Sequence, residues 1–378
     1  MISFNKKTVL SLIIGFLFSG IALYLTFINI PLSGLTDYIT TINFWWIIPS
    51  LLFAILSYIL RVVRWQLILR PVKRIQFWHA FHPLVIGFMV NCVFPGRVGE
   101  IARPAILYKR DKIEFSKVLA TVAVERIFDL VTLLLSFIYI LSTIEISPTL
   151  DITFGGYHLT TATLNTIWRT TLQVSFVLVG MILLVSTSKT RSMISRIIMR
   201  SPDLLIFAGT HFKEKLRQGI CRRIIHVLNN IAHGFEVLKS PKDIMICLLH
   251  SFLIWGLVVL SLYVLAFGCP GISVSFLEAY AVEIIICFFI MLPSVPGFWG
   301  LWEAGGVFGL MIFGIQAKEA AGLTLTYHFI HVIPVIIIGI VSAMIIGVNI
   351  IQSSKNGEEA LHVLEESTEN QPCNVDNS

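Results

Sequence analysis

Apolar residues gather along this chain in stretches of about 20, the length that an α-helix needs to cross a hydrocarbon core of roughly 30 Å. Six of these stretches are uninterrupted, and they run near 8–28, 44–60, 116–141, 168–187, 243–267 and 321–350. The pattern predicts about six helices that cross a membrane completely, in an all-α polytopic fold.

Two further apolar stretches, at about 77–107 and 276–314, are each interrupted near the middle by a Pro-Gly step. The first motif is Phe94-Pro95-Gly96-Arg97-Val98-Gly99-Glu100, and the second is Val295-Pro296-Gly297-Phe298-Trp299-Gly300-Leu301-Trp302-Glu303. The residues that break the helices are Pro95, Gly96 and Gly99 in the first motif and Pro296, Gly297 and Gly300 in the second. Because lipid offers no hydrogen bonds, backbone groups freed by a break must face protein or a water-filled cavity. Two matched breaks therefore predict a cavity lined by both halves of the chain, with a simple kink in each span as the alternative.

The composition agrees with a membrane protein. Hydrophobic residues make up 56% of the chain, charged residues make up 13%, and the mean hydropathy is +0.83, whereas soluble domains carry about 25% charged residues. We therefore expect residues 1–351 to form one membrane domain. The remaining 27 residues, 352–378, are polar and acidic, which predicts a disordered cytoplasmic tail.

Positive charge predicts the topology, because short cytoplasmic loops are enriched in Lys and Arg. Lys6 and Lys7 place the N-terminus in the cytoplasm, and basic residues on both sides of 77–107 predict that this segment re-enters from the cytoplasm. The basic connection 188–242 is also cytoplasmic, with the amphipathic pattern of a helix on the inner leaflet. The segment 276–314 then begins and ends outside, and the C-terminus is cytoplasmic.

Two re-entrant hairpins that enter from opposite faces are typical of inverted repeats, in which broken helices meet near the midplane around a substrate site. The charge pattern thus favours a transporter-like, multi-pass protein of the inner, or plasma, membrane.

Charged residues near the first break are candidates for substrate binding, because an ionised side chain at bilayer depth costs at least about 2.5 kcal/mol and usually faces a partner or a substrate. Arg97 follows the break directly, where its guanidinium and the N–H groups of a helix start would together bind phosphate. Glu100 and Arg103 are three residues apart on one helical face, so they would pair or hold a head group jointly. The alternative for all three is a structural ion-pair cluster at the inner interface.

A second charged group lies in the span that follows. Glu125 and Asp129 are four residues apart, so both carboxylates lie on one helical face and need a nearby cation such as Arg126. A structural network and a functional site are both open for this group. The same two alternatives hold for Glu283, which lies deep in the second broken segment.

The sequence indicates neither a metal site nor a cofactor. His328 and His331 lie one helical turn apart without further ligands at metal-binding spacing, so we expect hydrogen-bonded core histidines. The six cysteines show no CxxC pair, and no nucleotide-binding motif is present.

Taken in order, these motifs resemble the membrane region of lysylphosphatidylglycerol synthases and the flippase-like proteins built on that region alone. The residues that carry the resemblance are Arg61, Arg64-Trp65, Asn91, Pro95-Gly96-Arg97-x-Gly99-Glu100, Arg103, Glu125-Arg126, Asp129, Pro293, Pro296-Gly297, Gly300 and Glu303. The resemblance covers almost the whole chain and implies a lipid-translocating module, in which Arg61, Arg64 and Glu303 join the substrate-binding candidates. Phe298 and Trp299 depart from the small residues that are commoner in the family at the second break. A tail of 27 residues is too short for the aminoacyl-transferring domain of the synthases, so lysyl transfer is not expected.

The function predicted from these observations is the movement of an anionic phospholipid or a polyprenyl-phosphate-linked lipid between leaflets. Two alternatives stay open: a membrane-embedded enzyme that acts on a lipid phosphate, and a non-transporting partner of a lipid or glycan synthase. A transporter is favoured over an enzyme, because no Ser-His, Cys-His or metal constellation occurs at recognisable spacing. The expected partners are membrane lipids and a membrane-associated synthase or glycosyltransferase, and no nucleic acid.

Overall fold

The structure is a computed structural model of the chain. It describes residues 6–28, 32–94, 97–143, 151–154, 157–160, 173, 188–204, 209, 214, 216–221, 225, 241–292 and 295–347. The predicted span at 168–187 apart from residue 173, the tail 352–378, about half of the connection 188–242 and the helix-breaking residues Pro95 and Gly96 lie outside the described residues.

The described part of the chain is helical apart from one short β-hairpin. The helices are α1 (Lys6–Phe27), α2 (Leu32–Thr41), α3 (Ile47–Leu69), α4 (Phe77–Val93), α5 (Gly99–Asp111), α6 (Phe115–Thr143), α7 (Ser188–Arg200), α8 (Pro241–Ala266), α9 (Phe276–Ile290), α10 (Leu301–Ile312) and α11 (Ala317–Ile346). The strands β1 (Asp151–Phe154) and β2 (Tyr157–Thr160) pair antiparallel. Short 3₁₀ turns cover Phe44–Trp46, Ser201–Leu204 and Pro296–Phe298, and a π turn covers Arg217–Cys221.

Three helices among the described residues are long and apolar enough to cross a membrane by length and composition: Phe44–Leu69, Pro241–Ala266 and Ala317–Ile346. Two more helices, α1 with 22 residues and α6 with 29, are also long enough to cross a membrane. Together with the uninterrupted apolar pattern, these helices make the chain a multi-pass membrane protein.

The first interrupted stretch forms a helical hairpin. Gly87 of α4 packs against Gly99 and Arg103 of α5, and the hairpin closes at its far end where the His79 Nδ1 and Asp111 Oδ1 atoms are 2.9 Å apart. A side chain on Gly99 would overlap the Gly87 carbonyl oxygen, so the close approach of the two arms requires glycine there. The arms have 17 and 13 residues, fewer than the roughly 20 that a full crossing needs.

The second interrupted stretch forms a hairpin of the same kind. Gly305 and Gly309 of α10 pack against the backbone of Ile286 and Val282 of α9, so the two arms run antiparallel. The arms have 15 and 12 residues. Within the described residues the order of long helix, broken hairpin and long helix thus occurs twice, as α3, α4–α5, α6 and as α8, α9–α10, α11.

The two hairpins meet tip to tip. Arg97 Nη2 donates a hydrogen bond of 2.9 Å to the Ile290 carbonyl, and the Arg97 guanidinium lies 5.9 Å from the centre of the Phe298 ring. Gly297 in the second tip also lies against the Cys92 carbonyl at the first. The junction lies beside the middle of α11, where His328 Nε2 is 2.8 Å from the Gly297 carbonyl oxygen.

The open ends of the hairpins lie at opposite ends of α3. At the C-terminal end of α3, Leu69 packs in one apolar cluster with Leu107 of α5. At its N-terminal end, the Asn43 N–H donates to the Gly268 carbonyl in the connection that leads into α9. The two hairpins therefore approach each other from opposite ends of the helical bundle.

Candidate functional site

A cavity of about 180 Å³ lies where the two hairpin tips meet. Its walls come from both halves of the chain and include Tyr58 and Arg61 of α3, Phe88 of α4, Arg126 of α6, Trp255 of α8, Glu283 of α9, Trp302 of α10 and His331 of α11. Arg97 and Glu100 line it from the first tip, and Phe298 lines it from the second. This arrangement agrees with the prediction, from the two matched breaks, of a cavity shared by both halves.

Arginine provides most of the charge around the cavity. Three lining residues carry a guanidinium, Arg61, Arg97 and Arg126, and two carry a carboxyl group, Glu100 and Glu283. Arg126 is 3.8 Å from Glu100 and also 3.5 Å from Asp129. The lining therefore has a positive excess even when both carboxyl groups are ionised.

Arg61 is held by aromatic rings rather than by close carboxylates. Its guanidinium lies 5.6 Å from the centre of the Phe88 ring and 5.4 Å from that of Trp255, and its one ion pair, with Asp129, is long at 3.9 Å. Ring faces attract the cation without accepting its N–H donors in the way a carboxylate does. Among the described residues Arg61 makes no hydrogen bond, so its donors remain available to a ligand.

Arg97 is the most exposed of the three guanidinium groups, and its backbone is strained. Its φ is +56°, in the left-handed region that favours glycine. α5 begins two residues later, at Gly99, and the Gly99 N–H donates to the Asn91 side chain at 2.8 Å. Arg97 thus lies just before the first turn of a helix.

Four other charged residues form a buried, balanced network beside the cavity. Arg64 donates to Asp129 at 2.7 Å and to Ser251 at 2.6 Å, and it lies 3.4 Å from Glu125. Arg103 donates to the second Glu125 oxygen at 2.6 Å. Two guanidinium groups and two carboxylates therefore balance one another, which is the condition for keeping ionised groups out of water.

The predicted site residues fall into two groups, those that line the cavity and those that are buried behind it. Arg61, Arg97, Glu100 and Arg126 line the cavity. Arg64, Arg103, Glu125 and Asp129 are buried in the network behind it, where they position the lining residues of α3 and α6. The binding of a substrate by any of these residues stays a prediction.

Glu303 does not line the cavity. With His328 it forms a buried pair, the Glu303–His328 lock, that fixes the second tip. One carboxylate oxygen accepts from the Gly300 N–H at 2.6 Å, and the other is 2.6 Å from His328 Nδ1. The other His328 nitrogen contacts the Gly297 carbonyl at 2.8 Å, and the ring stacks on Trp302 with its planes 1° apart. A carbonyl oxygen only accepts, so His328 Nε2 donates to Gly297, and a second proton lies between His328 Nδ1 and the Glu303 oxygen.

Sequence reasoning missed several groups of the cavity. The aromatic walls, Phe88 and Trp255, carry no local signal, because aromatic residues are common throughout membrane helices. Three of the buried polar atoms without a hydrogen-bond partner in the described structure belong to lining residues: Arg126 Nε, Trp302 Nε1 and His331 Nε2. Buried polar groups are normally satisfied, so these three are groups that a ligand in the cavity could satisfy.

Among the described residues, no group of three or more His, Cys, Asp or Glu side chains could hold a metal ion.

The fold and the cavity thus define a class, the multi-pass helical membrane proteins with a chamber of aromatic and charged side chains at a junction of broken helices. The sequence pattern of the family described as the lysylphosphatidylglycerol synthase TM region matches residues 12–339 of the 378. The chain therefore belongs to this family. No curated protein matches the chain significantly.

Proposed function

We propose that this protein is a lipid flippase that moves an anionic phospholipid or a polyprenyl-phosphate-linked lipid between membrane leaflets. The observation that carries the proposal is the arginine-lined cavity at the junction of the two hairpin tips. The name of the family, which links it to a synthase of a phospholipid, supports a lipid as the substrate.

The size of the cavity favours a head group over a whole lipid. Pockets that enclose drug-sized ligands measure about 300–1,000 Å³, and this cavity is smaller, at about 180 Å³. A phosphate with a small substituent fits such a volume, whereas acyl or polyprenyl chains do not. The chains would stay in the lipid while the head group passes through the chamber.

The charge of the cavity favours an anionic head group. Arg61 keeps free donors, and Arg97 adds a second guanidinium at a helix start, where N–H groups and the helix dipole attract anions. Guanidinium groups bind phosphate oxygens through paired hydrogen bonds, which makes them well suited to this head group.

The architecture supports transport by alternating access. In this proposal α4–α5 and α9–α10 are re-entrant hairpins from opposite membrane faces, and the two halves form an inverted repeat. The repeated order of elements and the tip-to-tip contact support this assignment. The basic loops support a topology in which the N- and C-termini and the open end of the first hairpin are cytoplasmic and the protein lies in the inner, or plasma, membrane.

The test is leaflet exchange of labelled phosphatidylglycerol and of a labelled polyprenyl phosphate in proteoliposomes, with the total lipid analysed for chemical change. We expect the wild-type protein to exchange at least one of them without altering it. We expect Arg61→Gln and Arg97→Ala to lose most of this exchange, because each removes a cation from the cavity.

The matched control is Arg110→Ala. Arg110 lies in the same hairpin as Arg97 but is exposed at the end of α5, outside the cavity. Its loss should leave exchange unchanged, and equal losses in the Arg97 and Arg110 variants would contradict the assigned site. A chemically altered lipid would instead favour an enzyme, and intact lipid without exchange would favour a partner of a synthase.

A further inference from the structure

Glu283 is a buried carboxyl group in the cavity wall without a basic partner. Its residue is 3% exposed, and it lines the cavity from the middle of α9. No Lys, Arg or His nitrogen among the described residues lies within 4 Å of its oxygens, which sets it apart from Glu125 and Asp129. An unpaired carboxylate inside a membrane protein is costly, and taking up a proton removes that cost.

The hydrogen bonds around Glu283 fit the protonated acid. The Tyr327 hydroxyl is 2.9 Å from Glu283 Oε2 and 3.2 Å from the Val258 carbonyl oxygen. A phenol has one proton, so it cannot donate to both oxygens at once. If Glu283 carries a proton, the acid donates to Tyr327 and Tyr327 donates to Val258, and both contacts are hydrogen bonds.

The other groups near Glu283 on its own helix and on α11 do not replace the missing cation. Cys287 lies one turn away on α9, with its sulfur 4.0 Å from Glu283 Oε1. Tyr280, one turn earlier on α9, bonds to Ser136 of α6 at 2.8 Å. On α11, His331 contacts the Tyr327 carbonyl through Nδ1, and its Nε2 has no hydrogen-bond partner and lies beyond ion-pair distance from Glu283.

The remaining helices around Glu283 contribute cations only across the cavity. Arg61 of α3 and Arg97 of the first tip line the same chamber, beyond ion-pair distance from Glu283. On α6, Asp129 is held by Arg64, and Arg126 pairs with Glu100 of α5 and with Asp129. Helices α8 and α10 face the chamber with Trp255 and Trp302, which do not titrate. Among the described carboxyl groups that line the chamber, Glu283 is therefore the one without an ion-pair partner.

We propose that Glu283 is a proton-binding site that couples lipid movement to a proton gradient, with the proton and the anionic head group carried in the same direction. This inference rests on the proposed flippase function.

The direction follows from like-charge repulsion. An anionic head group near Arg61 and Arg97 disfavours a second negative charge on Glu283, so binding of the anion favours uptake of a proton. By linkage, the bound proton favours the anion to the same degree. Proton and lipid therefore occupy the cavity together, and together they leave it.

The first experiment measures proton uptake by the purified protein, over a range of pH in weakly buffered detergent, when short-chain phosphatidylglycerol is added. At the pH values where Glu283 is ionised in the lipid-free protein, we expect the wild type to take up protons and Glu283→Gln to take up none while still binding the lipid. The amide of glutamine copies the protonated acid and can donate to Tyr327. Glu278→Gln is the matched control, because Glu278 lies on the same helix but caps its N-terminus outside the cavity, and it should take up protons as the wild type does.

The second experiment uses proteoliposomes with a pH gradient. We expect labelled phosphatidylglycerol to accumulate in the leaflet that faces the alkaline compartment, and a protonophore to abolish this accumulation. With Glu283→Gln, the lipid should exchange but not accumulate.

The outcomes separate the two proposals. Binding without proton uptake by the wild type, or accumulation that persists in Glu283→Gln, would overturn the proton site. Proton uptake that depends on Glu283, without any exchange of lipid, would overturn the flippase function and leave the proton site standing.

Discussion

The tips of the two hairpins share one backbone feature and differ in chemistry. In both, a Pro-Gly step is followed by a residue in the left-handed region, Arg97 with a φ of +56° and Phe298 with a φ of +62°. These two residues occupy equivalent places in the two motifs, and their side chains contact each other across the junction. The first tip carries charge into the cavity, whereas the second brings an aromatic ring.

The second tip is also the more firmly fixed. The Glu303–His328 pair ties it to α11, and the Val295 N–H donates to Ser19 of α1. At the first tip, the Arg97 side chain is exposed and bonds to a carbonyl of the other hairpin. The comparison suggests that one tip is a fixed support and that the other is the binding element.

Loss of the lock should have the largest effect on stability. Glu303 and His328 each make two polar contacts while fully buried, and each buried polar group left unsatisfied costs about 1–3 kcal/mol. We expect Glu303→Ala and His328→Ala each to lower the free energy of unfolding in detergent by about 2–6 kcal/mol. The double variant should lose much less than the sum, because the two residues act on one contact.

The control for this prediction is Glu114→Ala. Glu114 pairs with Lys117 at the surface, where both side chains are about 60% exposed, and such pairs contribute about 0–1 kcal/mol. If Glu303→Ala were no more destabilising than Glu114→Ala, the second tip would not be fixed by this pair.

The next-largest effect on stability should come from substitution of the glycines at which the two arms of a hairpin pack, and its size should differ between the two hairpins. A methyl group on Gly99 would overlap the Gly87 carbonyl, a backbone atom that cannot swing away, whereas one on Gly309 would meet Val282 at 3.2 Å. We expect Gly99→Ala to destabilise the protein by about 1–3 kcal/mol, in the range of overpacked cores, and Gly309→Ala to have a smaller effect. Thermal unfolding in detergent measures both, with Gly256→Ala as a control because nothing lies within 4 Å of that position.

The sequence predicted the positions of the breaks, because Pro-Gly steps inside apolar stretches have few other structural solutions. It could not separate the arginines of the cavity from those of the buried network. Glu100 and Arg103 share a helical face by spacing, yet Glu100 lines the cavity while Arg103 turns toward Gly87 and Glu125. The difference arises from the space that Gly87 leaves on the neighbouring helix, which is a tertiary feature.

The Glu303–His328 lock and the surroundings of Glu283 could not be predicted from the sequence, for a similar reason. Glu303 and His328 are 25 residues apart, and Glu283 and Tyr327 are 44 apart, so each pair forms only when the second hairpin packs on α11. The charge pattern did predict that the first broken segment turns back on itself, and the contact between His79 and Asp111 agrees with that return.

Replacing Arg97 of the first tip by phenylalanine, the residue at the equivalent place in the second tip, should change lipid binding more than stability. Arg97→Phe removes a cation from the cavity, and a hydrogen bond to a charged group contributes about 1.5–3 kcal/mol. We expect the affinity for short-chain phosphatidylglycerol, measured by titration calorimetry in detergent, to fall by about tenfold to a hundredfold. Arg110→Phe, on the same hairpin, should bind as the wild type does, and an unchanged affinity of Arg97→Phe would show that the first tip is not the binding element.

The smallest effect concerns the backbone that the two tips share. In an ordinary helix glycine is less stable than alanine by about 1 kcal/mol, but the left-handed region costs a residue with a Cβ atom about 1–2 kcal/mol. We therefore expect Gly variants at positions 97 and 298 to be more stable than the Ala variants, by about 1 kcal/mol in each tip. Tyr139, exposed in the interior of α6, is the control where Ala should be more stable than Gly. If Phe298→Gly and Phe298→Ala are equally stable while Arg97→Gly is more stable than Arg97→Ala, the second tip is free to leave the left-handed conformation. The second tip would then be fixed by the Glu303–His328 lock alone.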